Sequence, residues 1–96
     1  MKPLSIVYSP EAQHYIRRLH PSVKSALRNI IEELFENPLK GKALREEFEG
    51  FRSHRFKKYR VIYQYEENKK QIEILFAGPR IEVYRLFAEY LKKMKS

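Results

Sequence analysis

"FRSHRFKKYRVIY", residues 51–63, is the stretch on which the reading of the fold turns. It consists of two β-prone runs on either side of Lys57-Lys58, with Arg52, Arg55, Lys57, Lys58 and Arg60 close together and no carboxylate among them. A two-residue hairpin loop would set Phe56 opposite Tyr59 and Arg55 opposite Arg60. Because side chains alternate across a strand, Phe51, Ser53, Arg55, Arg60, Ile62 and Gln64 then share one face. Arg52, His54, Phe56, Val61 and Tyr63 take the other. Like charges directly opposite one another destabilise a sheet, so an Arg55–Arg60 rung points to an anion bound there. Lysines are poor residues for so tight a turn. A longer or bulged loop would reverse the parity and bring Arg52 and His54 beside Arg60.

Working outward, "LSIVY" (Leu4 to Tyr8) alternates and reads as a first strand. Ser9-Pro10-Glu11 is a helix start: a capping side chain, proline at the first helical position, then an acid in the first turn. Ala12, Tyr15, Ile16 and Leu19 form an apolar stripe, and His20-Pro21-Ser22 ends this helix and opens a second. Val23, Ala26, Leu27, Ile30, Ile31, Leu34 and Phe35 keep helical spacing until Asn37-Pro38. The two helices are expected to form a hairpin. A charged connector, "LKGKALREEFEG", leads into the basic strand Phe51 to Phe56, the strand Tyr59 to Tyr65, a turn at "EENKK" and a strand Gln71 to Ala77 stopped by Gly78-Pro79. From about Glu82 a last helix carries Val83, Leu86, Phe87, Tyr90, Leu91 and Met94 on one side. The order β-α-α-β-β-β-α implies an α+β fold, a small antiparallel sheet with a helical hairpin on one face.

Ninety-six residues suffice for one domain spanning 1–96 with a single core. The chain has no Cys, which excludes disulfides and cysteine-based zinc sites. No segment has the length of a membrane span, and the start lacks a signal peptide's apolar core, so a cytoplasmic protein is expected. The net charge of +8 is uneven: residues 1–50 carry eight Lys/Arg and seven Glu, residues 51–96 twelve and five. That asymmetry favours a polyanion, nucleic acid before membrane, because no basic segment has the apolar face that lies in a bilayer. The alternative, a solubilising lysine-rich surface, suits the C-terminal "LKKMKS" better than residues 51–60, where strand geometry gathers the charge.

"YRVIYQYEENKKQIEILFAGPRIEVY" (Tyr59 to Tyr84) resembles the RelE/ParE toxin superfamily, whose members carry a Y-R-[VL]-[IV]-Y strand, a second strand, then an Arg and a downstream Tyr. "GFRSHRF" is similar to the strand before that motif, and the resemblance covers nearly the whole chain. It implies a compact, microbial-ribonuclease-like fold and the toxin role in a toxin–antitoxin pair, with a cognate antitoxin as partner. RelE-type members cleave mRNA in the ribosomal A site; ParE-type members poison DNA gyrase. Arg60 matches the arginine of Y-R-V-I-Y, Arg80 the arginine after the last strand, Tyr84 the final tyrosine, and Arg55 a basic position in the preceding strand. The RelE pattern has lysines where this chain has Phe51 and Ser53, which leaves the general base open.

Metal-free RNA cleavage turns the ribose 2′-OH on the adjacent phosphate. It needs a base, cations for the pentacoordinate phosphate and an acid for the 5′-oxygen. Arg55, Arg60 and Arg80 suit charge stabilisation and are poor bases. His54, Tyr84 and Lys57 are the candidates for proton transfer, and Arg52, Lys57 and Lys58 for RNA binding. No cofactor or metal is expected: the chain has no Asp or Cys and three His. Each residue also has a structural alternative. Arg60 could pair with a glutamate such as Glu73, Arg80 could orient the last helix, Tyr84 could be a core aromatic, and His54 a packed strand residue. His14 and His20 are assigned to structure. Taken with the resemblance, which alone implies the ribosome, the functional reading is a ribosome-dependent mRNA endoribonuclease. The alternatives are a gyrase-binding toxin and a basic RNA-binding member without catalysis.

Overall fold

The computed structural model describes residues 4–95; Met1–Pro3, the first residues of the start read above as lacking a signal peptide's apolar core, and Ser96 lie outside it. The alternating first segment forms strand β1 (Ser5–Tyr8) and gives way at Ser9 to helix α1 (Pro10–Arg17). Buried Ser9 accepts the Ala12 N–H at 3.0 Å and so caps the helix. Its hydroxyl donates to the Leu75 carbonyl at 2.8 Å, and its N–H to the Ile74 carbonyl at 2.9 Å. Helix α2 (Pro21–Glu36) follows after a short connection and is capped by the His20 ring, which accepts the Ser22 N–H. His20 is therefore structural, as its position between two helices suggests.

The charged connector supplies a short strand, β2 (Lys42–Ala43), and one 3-10 turn at Glu46–Phe48. Strands β3 (Arg52–Phe56), β4 (Tyr59–Glu66) and β5 (Gln71–Pro79) precede helix α3 (Arg80–Lys95). The spatial order is β1-β5-β4-β3-β2. Every neighbouring pair is antiparallel except β1 and β5, which are parallel. The fold is α+β as read from the sequence, with a sheet that is mixed at one edge. Local pattern cannot show this pairing, because β1 meets a strand more than sixty residues away.

Strand β5 runs past Ala77 because Gly78 and Pro79 still have partners, Arg60 and Tyr59. Helix α3 therefore begins at Arg80, earlier than the apolar stripe alone suggests. The register between β4 and β5 shifts at Ile62/Tyr63, which leaves Leu75 as an extra residue. Its carbonyl is the one bonded by Ser9.

Two apolar clusters, not the single core expected from the length, cover the two sheet faces, because helices pack on both. On one, α1 and α2 place Ala12, Val23, Leu27 and Leu34 against Phe56, Val61, Tyr63, Ile72 and Ile74. On the other, α3 places Val83 and Phe87 against Ile62, Leu75 and Phe76. Phe87 meets Phe51 edge-on at 4.9 Å and stacks on Phe48 at 5.5 Å, so the connector closes over this second core. The outer end of the expected α3 stripe does not pack: Met94 is 68% exposed, since the helix has run beyond its neighbours. No helix among the described residues is long and apolar enough to cross a membrane.

The fully buried Tyr63 fastens the connector to the sheet. Its hydroxyl donates to the Pro38 carbonyl at 2.7 Å and accepts the Gly41 N–H at 2.9 Å. Burial pushes the phenol's pKa up, opposed by the Gly41 N–H and by Arg52. Gly41 must be glycine here, because a Cβ would lie 2.6 Å from the Tyr63 hydroxyl. Tyr63→Phe strands the buried Gly41 N–H and is expected to cost about 1–3 kcal/mol, read as a lower urea midpoint at unchanged m-value.

Candidate functional site

The β3–β4 hairpin closes through Lys57-Lys58 alone, and Arg55 stands opposite Arg60. Lys57 makes the turn possible by taking a left-handed φ of 54°. The parity is therefore that of the two-residue loop. Ser53, Arg55, Arg60 and Ile62 share the α3 face; Arg52, His54, Val61 and Tyr63 share the face of α1 and α2.

Helix α3 brings the next two residues to the first group. The Arg80 N–H donates to the Lys58 carbonyl at 3.0 Å, which pins the helix start beside the hairpin turn. Tyr84, one helical turn on, points to the same side as Arg80. Its hydroxyl lies 2.8 Å from the Ser53 hydroxyl. Tyr84 also approaches Phe48, at 6.1 Å between rings. It thus has an apolar body and an engaged polar tip, where packing alone would require only the body.

Five cations consequently meet at the hairpin end: Arg55, Lys57, Lys58, Arg60 and Arg80. Among the described residues, Lys40 pairs with Glu33 and Arg85 with Glu89, and the His54 ring stands 3.8 Å from Glu33; none of these contacts involves the five. Glu73, the alternative partner for Arg60, sits opposite Gln64, four residues further along β4. The Arg60 Nε is buried without a hydrogen-bond partner. A desolvated N–H on a guanidinium facing another guanidinium is costly when empty and is relieved by a bound oxyanion.

Two of the residues read from the sequence stand elsewhere. His54 faces α2, with Nε2 buried, unbonded, and 3.8 Å from a Glu33 carboxylate oxygen. Lys40 hydrogen-bonds the other oxygen of Glu33 at 2.8 Å and holds that carboxyl below its ordinary range. Arg52 turns to the same side and donates to the Gly41 carbonyl at 3.3 Å. Ser53 is the residue that a search for charged and titratable groups passes over. Its signal was positional, since it shares the face of Arg55 and Arg60 in the two-residue register. Among the described residues no group of three or more His, Asp or Glu side chains is placed to hold a metal ion.

A family model described as the ParE-like toxin of type II bacterial toxin–antitoxin systems matches residues 6–88. The chain belongs to this family and is a type II toxin of the RelE/ParE group. Toxin RelE of Mycobacterium tuberculosis is 29% identical over 86 residues, which cover 88% of this chain and 89% of that one. The toxin–antitoxin complex RelBE2 of the same organism contains a chain with a TM-score of 0.75 and 27% identity, aligned over 82% of this chain and 100% of its own. The isolated E. coli RelE toxin, 20% identical, has the same fold at a TM-score of 0.72, covering 95% of this chain and 98% of that one.

Anion occupancy is testable without RNA. Arg55→Thr is expected to raise stability by about 0.2–1 kcal/mol at low salt, because it removes the like-charge rung. In thermal unfolding, sulfate should stabilise the parent more than chloride at equal ionic strength, and this difference should shrink in the variant.

Proposed function

We propose that this toxin cleaves mRNA on the ribosome without a metal ion. The observation that carries the reading is the Arg55–Arg60 rung, with its unpartnered Arg60 Nε, beside Arg80 and the Tyr84 hydroxyl. Arg60 and Arg80 hold the phosphate, and Arg55 adds charge at its edge. Lys57 and Lys58 bind flanking phosphates. The field of these cations favours ionisation of the 2′-OH, whose proton passes to water. The 2′-oxygen attacks phosphorus, and the guanidinium groups stabilise the added charge in the transition state. The bond to the 5′-oxygen breaks and Tyr84 protonates that oxygen. His54, on the opposite face, has no part in this arrangement. Arg52 contributes long-range attraction only.

The partner is a cognate antitoxin that covers the basic face with an acidic segment. The RelBE2 neighbour, a toxin–antitoxin complex, supports this. Ribosome engagement requires a cytoplasmic location. A gyrase-binding activity is the second reading, favoured by the ParE-like description of the family model.

Arg60→Ala or Arg80→Ala is expected to lower single-turnover cleavage on programmed ribosomes by about 10²–10³-fold, the scale for losing one preorganised charge donor. Ribosome binding should change far less, and Arg60→Lys should restore activity only in part. If both alanine variants cut like the parent, this site is not the nuclease site. Gyrase-dependent DNA damage with intact transcripts would select the second reading.

Binding of a single-stranded RNA should weaken with salt. With three to five phosphate contacts, log K against log[salt] is expected to fall with a slope of about −2 to −3.5, at roughly 0.7 per contact. A flat dependence would argue against the basic surface as an RNA site.

A further inference from the structure

The second core contains one buried polar side chain that the proposed chemistry does not use. Ser53 is 3% exposed, and its hydroxyl oxygen lies 2.8 Å from that of Tyr84. No other hydrogen bond of that hydroxyl exists among the described residues. Ser9, the other buried serine, caps a helix and bonds a strand carbonyl; Ser53 has no such backbone role. A buried hydroxyl in an aromatic cluster is retained at a cost unless its one contact matters.

Two hydroxyls at this distance share one proton between them, and the second proton points elsewhere. Ser53 is enclosed, whereas Tyr84 is only half-buried, so the proton that can reach a ligand is tyrosine's. In that arrangement Ser53 donates to the Tyr84 oxygen, and Tyr84 presents its own proton outward. The Arg55–Arg60 rung lies two residues along the strand from Ser53, roughly 7 Å away. The Tyr84 hydroxyl, bonded to Ser53, therefore stands on the same sheet face as the rung, two residues along the strand.

We propose that Ser53 is a positioning residue that aims the Tyr84 proton at the leaving oxygen of the cleaved phosphodiester. The inference rests on the nuclease reading of this site. As the bond from the 2′-oxygen to phosphorus forms, the bond to the 5′-oxygen breaks and its electron pair takes the Tyr84 proton. The phenolate left behind accepts the Ser53 O–H and lies in the field of the arginines. Ser53 touches neither substrate nor reacting atoms. It sets the direction of one proton and stabilises the charge that remains.

The test uses ribosomes programmed with mRNA carrying either an ordinary phosphodiester or a 5′-bridging phosphorothiolate at the cleaved step. Sulfur leaves as a thiolate and needs no proton. On the oxygen substrate, Tyr84→Phe is expected to slow single-turnover cleavage by about 10²-fold. Ser53→Ala should slow it by about 10-fold, the scale of one lost hydrogen bond. On the sulfur substrate both variants should approach the parent rate, whereas Arg60→Ala should stay slow. Ser53→Thr, which keeps the hydroxyl, should restore most of the rate on oxygen. If Ser53→Ala slows both substrates equally, or neither, Ser53 does not position the proton and the inference falls alone. A parent that cuts neither substrate would overturn the nuclease reading, and the inference with it.

Discussion

The two-residue turn at Lys57-Lys58 is the constraint on which the site depends. It is not a favourable turn in itself: a non-glycine residue in the left-handed region costs about 1–2 kcal/mol, and Lys57 sits there. The hydrophobic register on both faces enforces it. Val61 and Tyr63 are fully buried under α1 and α2, and Ile62 is fully buried under α3. Adding or deleting one loop residue would turn β3 over against β4, sending Phe56 and Ser53 to the wrong sides. With both faces filled, that slip is prohibitive. Opposed Arg55 and Arg60 are therefore a consequence of core packing, which supplies the free energy to hold two guanidinium groups together.

A second fixture stands at Ser9. The extra residue Leu75 lets Leu75 and Phe76 both serve the α3-side core, while Ile74 and Ala77 serve the other. Such a bulge frees a carbonyl, and Ser9 satisfies it with the same hydroxyl that caps α1. Beyond the bulge, Ala77 to Pro79 realign with Val61 to Tyr59, and the chain is delivered as Arg80 beside the Lys58 carbonyl. One buried serine thus satisfies the bulge that precedes the register delivering Arg80.

The sequence was most legible where local chemistry acts alone. Ser9-Pro10, the Val23 to Phe35 spacing and the strands around Lys57-Lys58 each carry their own signal, and the structure follows them except at Phe35, which ends the stripe 44% exposed. The Arg55–Arg60 rung could be read because alternation and loop length determine it. Pairings between distant segments were not legible. The parallel union of β1 with β5 and the Leu75 bulge have no local signature, and neither does the Ser53–Tyr84 contact. His54 shows the same limit from the other side. Its residue type suggested chemistry, yet its parity sent it toward Glu33, and only the register could decide that.

The placement of the carboxylates explains why the cationic end keeps its charge. Lys40 engages Glu33 beside α2, and Glu46, Glu47 and Glu49 lie in or beside the 3-10 turn of the connector. None pairs with a cation of the hairpin end. Between His54, with its Glu33, and Arg60 lies a sheet whose central residues are fully buried. With low-dielectric protein behind them and water in front, Arg55, Arg60 and Arg80 direct their field outward from the α3 side, while Lys57 at the turn borders α2. The opposite arrangement, a glutamate across from Arg60, would be more stable and would present no net charge to a phosphate. A domain of this size has only about 5–15 kcal/mol of total stability, so even a rung costing about 0.2–1 kcal/mol is a small but real sacrifice. The two aromatic and aliphatic cores that lock the hairpin register make that sacrifice tolerable.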